Sequence, residues 1–481
     1  MSIVPGRSPS GVRVAGDEYQ HLVAWNETLL AVRPGSDAHS VTVEASDVGN
    51  VDDVVVAYRA APAKYLQVKH AVDARTPVGT MYLTTPSGKR SLLQRFYASW
   101  NALMQDDKRP DMRLVTDRET DPADDAMRCL DRHSECLVPD IGRPEARAVR
   151  EAWAYHLQID PDELITFLGD LRLMTGRPFS AEVERCETLL WALGMNTGQT
   201  ARDSAIGFVR DWVQKRERTI DVGALRDAAY DRVGRYADPG ALFVVEGIDD
   251  DTHPEDADVL VRFVENYVGD DPNLRRAFHN PQDWDAVAQQ IEAAAQDLRN
   301  RDIHRVIVRG AMRLPTWFLV GAALRHVRGF TVAALQHGDI WASDVAGSSA
   351  GLIETRLTER TGGTDLAVAV GIAADPTIGV ERFVEEQGIN VGRVAVVVPR
   401  GGLGPEAIPD GPAAATMAVT IRDELRRLLD HSAADHIHLF LAAPGGLALL
   451  LGHRWNALRP TVVYEHLGAG RGYERVWEVP S

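Results

Sequence analysis

Four residues near the start of the chain have the types and spacing of a phosphodiester-hydrolysing site: Glu44, Asp53, Gln67 and Lys69. Gln67 and Lys69 stand at i and i+2, so on a strand both project from the same face. A neighbouring strand can bring Asp53 beside them. Hydrolysis of a phosphodiester needs hard oxygen ligands around Mg²⁺ or Mn²⁺. It also needs a base or a positive charge for the attacking water and the pentavalent oxyanion. Glu44 and Asp53 supply carboxylates, Gln67 an amide oxygen and Lys69 the cation. The same pattern suits any half-exposed strand pair, and spacing does not separate the two readings. Asp52 competes with Asp53 for the central role; Asp53 is favoured because the run VVV begins directly after it.

The elements that must hold these residues are legible in the hydrophobic pattern. Residues 17–33 carry Tyr19, Leu22, Val23, Leu29 and Leu30 at helical spacing. VTVEA, VDDVVVAYR and KYLQVKH then read as three short strands, the first two separated by the turn-rich SDVGN. From about Pro144 to Tyr236 the sequence turns helical, and Asp238-Pro239-Gly240 reads as a linker. Beyond it, apolar strands alternate with amphipathic helices, the signature of a parallel sheet covered on both faces. The fold class is therefore α/β in both halves.

Charge narrows the partners. The 481 residues hold 52 basic and 69 acidic side chains, a net charge of −17, which excludes a nucleic-acid coat over the whole surface but not a local one. The part up to Arg235 carries −5 and the remainder −12, while Arg59–Arg113 holds ten Lys or Arg against four Asp or Glu. That window contains four of the five lysines. It reads either as a solvated basic face or as a phosphate-contacting surface. No apolar run reaches ~18 residues, so no membrane-spanning helix is expected. The opening MSIVPGRSPSG lacks the apolar stretch of a signal peptide, which implies a cytoplasmic location.

GDEYQHLVAW, VTVEASDVGNVDDVVV and YLQVKHAVD, in that order, resemble the PD-(D/E)xK nuclease superfamily. They are most similar to the double-stranded DNA endonuclease domain of CBASS antiphage effectors. The resemblance implies a restriction-endonuclease-like α/β core over about 12–140 with a helical extension over about 144–235, together spanning 1–235. It adds Gln20 of the first helix to Glu44, Asp53, Gln67 and Lys69 as the implied active site. Gln67, where many relatives have Glu, leaves the metal site one charge short and makes Glu44 more necessary.

The second half carries an internal repeat: LVGAALRHVR at 319–328 aligns with LLGHRWNALR at 450–459, an offset of 131, with Gly321 matching Gly452 and Arg328 matching Arg459. A strand precedes and a strand follows each copy, so two fused Rossmann-like units are expected. In such sheets ligands bind beyond the carboxyl ends of strands. Those ends present Arg309, Arg313, Arg400, Pro444, Gly445 and Gly446, with Trp341 for stacking on a base and Trp317 or Tyr473 as weaker choices. A glycine there also serves a plain strand-to-helix turn. The ending, HIHLFLAAPGGLALLLGHRWNALRPTVVYEH then YERVW, resembles the SAVED domain, built of two CARF-like units, over roughly 238–481. That resemblance implies binding of a cyclic oligonucleotide such as a cyclic di- or trinucleotide, with a cognate nucleotidyltransferase as functional partner and self-association on ligand binding.

Other features read as decoys. Cys129, His133 and Cys136, with Cys186, have ligand-like spacing but lack the paired CxxC of structural zinc. His431, His436 and His438 surround the entry to a strand, and Asp249–Asp251 reads as a solvated acidic loop. No Walker A or dinucleotide glycine fingerprint is present. The sequence thus points to a metal-dependent DNA endonuclease switched on by a cyclic oligonucleotide. Two rivals stand beside it: a ligand sensor with an inactive nuclease core, and a constitutive restriction or repair nuclease.

Overall fold

The helical spacing of 17–33 belongs to α1 (Pro9–Ala31), which starts earlier than the pattern suggests and is buried almost all round from Tyr19 onward. This coordinate set is a computed structural model, and it describes residues 9–46, 48–49, 51–71, 76–104, 109–138, 140–345, 347, 352–430, 432–468 and 470–480. The chain divides into two units, Met1–Pro239 and Gly240–Ser481.

In the first unit α1 is followed by β1 (Ala38–Val43), β2 (Val54–Tyr58) and β3 (Lys64–Lys69). Then come α2 (Thr80–Thr84), the two-residue strands β4 (Pro86–Ser87) and β5 (Arg90–Ser91), α3 (Leu92–Leu103) and β6 (Asp111–Thr116). The helical stretch resolves into α4 (Arg147–Leu157), α5 (Pro161–Gly169), α6 (Phe179–Ala192), α7 (Gln199–Val213) and α8 (Val222–Val233), interrupted by β7 (Leu171–Met174) and β8 (Thr219–Asp221). Both added strands join the central sheet, whose order is β7-β6-β3-β2-β1-β8. Within the stretch expected as a helical extension, β7 and β8 form the two edges of this sheet. At three and four residues they are too short to show a period-2 pattern.

α1 packs between the β1–β3 face and helices α6 and α7. Its buried Glu27 binds Lys64 of β3 (2.9 Å) and Arg185 of α6 (3.1 Å), while Asn26 donates to Glu182 at 2.8 Å. Burial opposes ionisation of Glu27, but Lys64 and Arg185 outweigh it and hold the carboxyl below its usual range. Such an internal network of ion pairs and hydrogen bonds fixes the rotation of α1 against the sheet.

The second unit contains two sheets. One is formed by β9 (Ala241–Glu246), β10 (Val259–Arg262), β11 (Arg305–Arg309), β12 (Thr331–Gln336) and β13 (Asp339–Ala342), in the order β10-β9-β11-β12-β13. The other adds β14 (Ile353–Glu359) to β15 (Asp365–Gly371), β16 (Val391–Pro399), β17 (Ile437–Ala442), β18 (Thr461–His466) and β19 (Tyr473–Val479), in the order β14-β16-β15-β17-β18-β19. Apart from the edge strand β14 the two orders correspond strand for strand. Each has three consecutive parallel pairings and one terminal antiparallel pairing. The helices are α9 (Asp283–Asn300), α10 (Leu314–Ala323), α11 (Thr377–Glu386), α12 (Gly411–Leu429) and α13 (Gly445–His453).

The repeated segments are α10 and α13, and they pack on each other. A Cβ on Gly321 would lie 2.1 Å from the Leu449 carbonyl oxygen and 2.8 Å from the His453 nitrogen. One on Gly452 would lie 2.0 Å from the Phe318 oxygen and 2.9 Å from the Ala322 nitrogen. Residues 318 and 322 become 449 and 453 under the same offset of 131, so the contact is reciprocal, as across a two-fold axis. The two copies thus face each other across a local pseudo-dyad.

Candidate functional site

Strand register assembles the N-terminal constellation. β1 pairs with β2 through Val43 and Val54, and β2 with β3 through Val54 and Leu66, both antiparallel. Carrying each register one residue further sets Glu44 beside Asp53 and Asp53 beside Gln67. The backbone agrees: the Glu44 N–H donates to the Asp53 carbonyl at 3.0 Å. On the other side of β1, the Val43 N–H donates to the Arg218 carbonyl at 3.2 Å, just before β8. Glu44, Asp53 and Gln67 form a row across three strands, with Arg218 one register step away opposite Val43.

The side chains converge from that row. Gln20 of α1 donates through Nε2 to Glu44 Oε1 (3.1 Å) and to Asp53 Oδ1 (3.2 Å). Asp53 Oδ2 accepts from the Val68 N–H at 2.6 Å and from Gln67 Nε2. Lys69 stands close enough to favour the ionised form of both Asp52 and Asp53. Burial nevertheless dominates and pushes the Asp53 carboxyl up to about 6. These hydrogen bonds go to Asp53, whereas Asp52 stands half-buried beside the site, its backbone carbonyl accepting from Ala45 at 2.7 Å. Glu44 has φ +48°, an uncommon value for a residue with a Cβ. Arg218 Nη1 fixes that turn by donating to the Glu44 carbonyl at 2.8 Å. Arg218 is a residue of this site that the sequence reading missed; its position depends on β8, which had no visible pattern.

A cavity of about 700 Å³ adjoins these carboxylates. Gln20, Glu44, Asp17, Glu18 and His21 line one part of it, and Arg210, Val213 and Gln214 of the α7 end another.

Part of the basic window of Arg59–Arg113 is committed to structure. Lys64 is the buried partner of Glu27, Arg109 pairs with Asp170 (2.9 Å), and Arg113 pairs with Asp111 (2.7 Å). Arg95 donates to the carbonyls of Ser87 and Arg90. Arg75 and Lys108 lie outside the described residues. Three of its charges thus answer acids of the same unit, while Arg59, Lys89 and Arg90 are exposed.

The C-terminal candidates are distributed differently. Arg309, at the end of β11, is clamped by Asp251 through two hydrogen bonds (3.1 and 2.8 Å) and has Asp256 at 3.6 Å. Arg262 likewise holds Asp250 at 2.9 Å, so the acidic run is an ion-pairing loop rather than a solvated one. Arg313 donates to the carbonyls of Arg275, Pro272 and Asn273. Trp341 is only 2% exposed and packs beneath Gly446, whose Cβ would lie 3.0 Å from its ring. Gly445 allows the same close approach to Trp317, and Pro444 is the N-cap of α13. Arg400 is exposed beside β14, donating to the Ile353 carbonyl at 3.0 Å. Tyr473 packs edge-on against Phe383. The two glycines thus first serve helix packing, and Arg309 and Arg313 have partners within the unit. Glu465 at the end of β18, absent from the sequence reading, is 5% exposed and pushed up to about 8 by burial, despite Arg313 and Arg276 nearby.

The remaining decoys behave as ordinary structure. Cys129 belongs to one hydrophobic cluster and Cys186 to another, and Cys136 is buried as well, all three as free thiols. His438 is buried on β17, with Nδ1 2.9 Å from the Tyr464 hydroxyl, and His436 stands just before that strand. His431 lies outside the described residues. Among the described residues no helix is long and apolar enough to cross a membrane.

Comparison with known proteins adds the following. Residues 285–479 match the family described as the SMODS-associated and fused to various effectors sensor domain, SAVED. The chain is 23% identical to CD-NTase-associated protein 4 of Enterobacter hormaechei subsp. hoffmannii (strain UCI 50), over 94% of this chain and 95% of that protein. It is 22% identical to the protein of the same name from Acinetobacter sp. (strain ATCC 27244 / 9458), over 40% of each. Among solved structures it is similar to the Acinetobacter baumannii Cap4 SAVED/CARF-domain containing receptor with the cyclic trinucleotide 2'3'3'-cAAA, at 14% identity and a TM-score of 0.44, covering 97% of this chain and 99% of that one. The Moraxella osloensis Cap4 receptor gives 14% identity and a TM-score of 0.43, with the same coverage.

Proposed function

We propose that the chain is a two-part CBASS antiphage effector. Its SAVED unit binds a cyclic oligonucleotide, and its N-terminal unit is a metal-dependent endonuclease that cuts double-stranded DNA with little sequence preference. The observation that carries the enzymatic part is the convergence of Gln20 of α1 with Glu44, Asp53, Gln67 and Lys69 of adjoining strands. The matched SAVED model and the likeness to CD-NTase-associated protein 4 along most of the chain support the sensing part. They also support a cognate nucleotidyltransferase as the source of the signal. Self-association of sensors on ligand binding is part of the same reading.

The donor set suits a hard divalent cation such as Mg²⁺ or Mn²⁺, because every group offered is an oxygen. Glu44 and Asp53 would hold it, together with the Gln67 amide once turned to present its oxygen. Bound there, the cation supplies polarisation of the scissile phosphate and a more acidic water. The protein's own contribution is positioning. Val68 and Gln67 hold one Asp53 oxygen, Gln20 ties the other to Glu44, and Lys69 places a positive charge where the oxyanion develops.

The test is incubation of supercoiled plasmid with Mg²⁺ and a panel of cyclic di- and trinucleotides, with gel analysis of the products. Cleavage only in the presence of one ligand, lost in Lys69→Ala, is the expected result. Ligand binding without cleavage would favour a sensor with an inactive core, and cleavage without ligand a constitutive nuclease.

A further inference from the structure

We propose that the end of α7 and the connection to β8 form the surface that grips the DNA backbone beside the catalytic carboxylates, with Arg210, Lys215 and Arg216 as its phosphate contacts. This inference rests on the nuclease reading and names how its substrate is held. Three cations of the basic window are paired within the unit, and its exposed Lys89 and Arg90 do not line the cavity beside Glu44. The α7 end does line it, through Arg210. Arg210, Lys215 and Arg216 are exposed, and no ion-pair partner is found for them among the described residues.

Their position is fixed rather than incidental. The Lys215 N–H donates to the Trp212 carbonyl at 3.0 Å, turning the chain directly after α7. Three residues later the Arg218 backbone bonds Val43, and its guanidinium holds the Glu44 carbonyl. The cationic segment is thus tethered at both ends, and its far end touches the residue that would bind the metal. Arg210 also lines the cavity of about 700 Å³ that Gln20 and Glu44 line from the other side.

The charges of that cavity are sorted by side. Asp17, Glu18 and Glu44 lie on the α1 and β1 side, which suits a cation, and Arg210 lies on the α7 side, which suits an anion. Glu217 is the exposed acid within the cationic segment, while Asp211 is already paired with Arg232 at 2.9 Å. His21, 8% exposed, also lines the cavity, and its Nδ1 has no hydrogen-bond partner among the described residues. Burial and Arg210 keep its ring below the usual histidine range, hence neutral and able to accept or donate a single hydrogen bond. A polyanion lying over this rim presents successive phosphates to Arg210, Lys215 and Arg216 and one phosphate to the carboxylate row. That division is how nucleic-acid enzymes separate positioning from chemistry.

The experiment measures binding of a short fluorescent DNA duplex to the full chain by anisotropy, in Ca²⁺ and over a series of KCl concentrations, with and without the cyclic trinucleotides. All proteins carry Lys69→Ala so that no cleavage intervenes. Adding Arg210→Glu, Lys215→Glu and Arg216→Glu is expected to weaken binding at low salt by on the order of 100-fold or more and to flatten the log–log salt slope by about 2 to 3. Lys89→Glu with Arg90→Glu, an equally exposed pair from the basic window, is expected to leave both quantities unchanged. The proposal is overturned if the triple variant binds as its parent does, if the control pair weakens binding equally, or if no form binds duplex under any condition. In a second arm with Lys69 intact and Mg²⁺ in place of Ca²⁺, a cleaving protein whose triple variant still binds and cuts normally refutes this surface and leaves the nuclease reading intact. Duplex binding that depends on the strip, in a protein with Lys69 intact that never cuts, refutes the nuclease reading and supports the surface.

Discussion

Asp53 is held by two strands and a helix at once, and its environment opposes its charge. Burial lifts its carboxyl to about 6 although Val68, Gln67 and Lys69 all favour the ionised form. A site that burdens the fold in this way is stabilised when the charge is removed. Asp53→Asn is therefore expected to raise the urea midpoint of the metal-free protein at neutral pH, by on the order of 1–2 kcal/mol. The same substitution should abolish cleavage, and a variant that is both less stable and fully active would sink the assignment. Gln20→Ala separates binding from assembly: it removes the tie between Glu44 and Asp53 while leaving both carboxylates. Cleavage should then need a higher Mg²⁺ concentration, read as a shifted half-maximal titration point. The residue types at this site were legible in the order Glu, Asp, Gln-x-Lys. The choice of Asp53 over its neighbour was only suggested by the following VVV, because hydrogen bonds from β3 and α1 decide it. Arg218 was invisible, since nothing in the segment KRER marks which of its cations turns toward β1.

At the scale of elements, α10 and α13 show why a repeat in the sequence became a contact. Gly321 and Gly452 let the two helices approach until a Cβ would meet backbone atoms. Gly321→Ala or Gly452→Ala must push the helices apart, with an expected loss of about 3 kcal/mol or more in denaturant unfolding. Equal losses in the two variants would reflect the reciprocal geometry; a negligible loss in either would remove the pseudo-dyad as a packing constraint. Glu465, at the end of β18, makes a pH-dependent prediction. Its folded carboxyl titrates at about 8, raised above the ordinary 4.5 by burial. The proton is retained in the fold while the unfolded chain has lost it, so this contribution is complete below about 4.5 and disappears as pH rises through about 8. Wild-type stability should fall between these values more steeply than that of Glu465→Gln, measured by urea midpoints across the range. The first three strands and the second-half alternation were readable as elements because their apolar periods are long or their sides distinct. The edges β7 and β8 were not, because three or four residues carry no period and take strand geometry only from the neighbour they pair with.

Each of the two units has apolar clusters made of its own residues: the largest lies wholly in 240–481, and two others wholly in the first unit. Residues 240–481 expressed alone should therefore unfold cooperatively and retain binding of whichever cyclic oligonucleotide activates cleavage, as followed by calorimetry. Loss of cooperative unfolding would show that this unit depends on the other. The net charge of −17 acquires a different meaning at this scale, because its local distribution depends on which charges are paired. Composition placed ten cations against four acids in Arg59–Arg113, yet Lys64, Arg109 and Arg113 are spent on Glu27, Asp170 and Asp111. The cations left exposed beside the carboxylate row come from the α7 end, more than a hundred residues further along the chain. By itself the sequence determined the α/β class, the order of the chemistry-bearing residues, the duplicated half and the place of the linker, all of which are local patterns in residue type. Tertiary structure alone decided which Asp is held, which arginines remain exposed and which glycines are packing contacts rather than turns. Those outcomes depend on register and on pairing between residues distant in the chain, and a linear pattern contains neither.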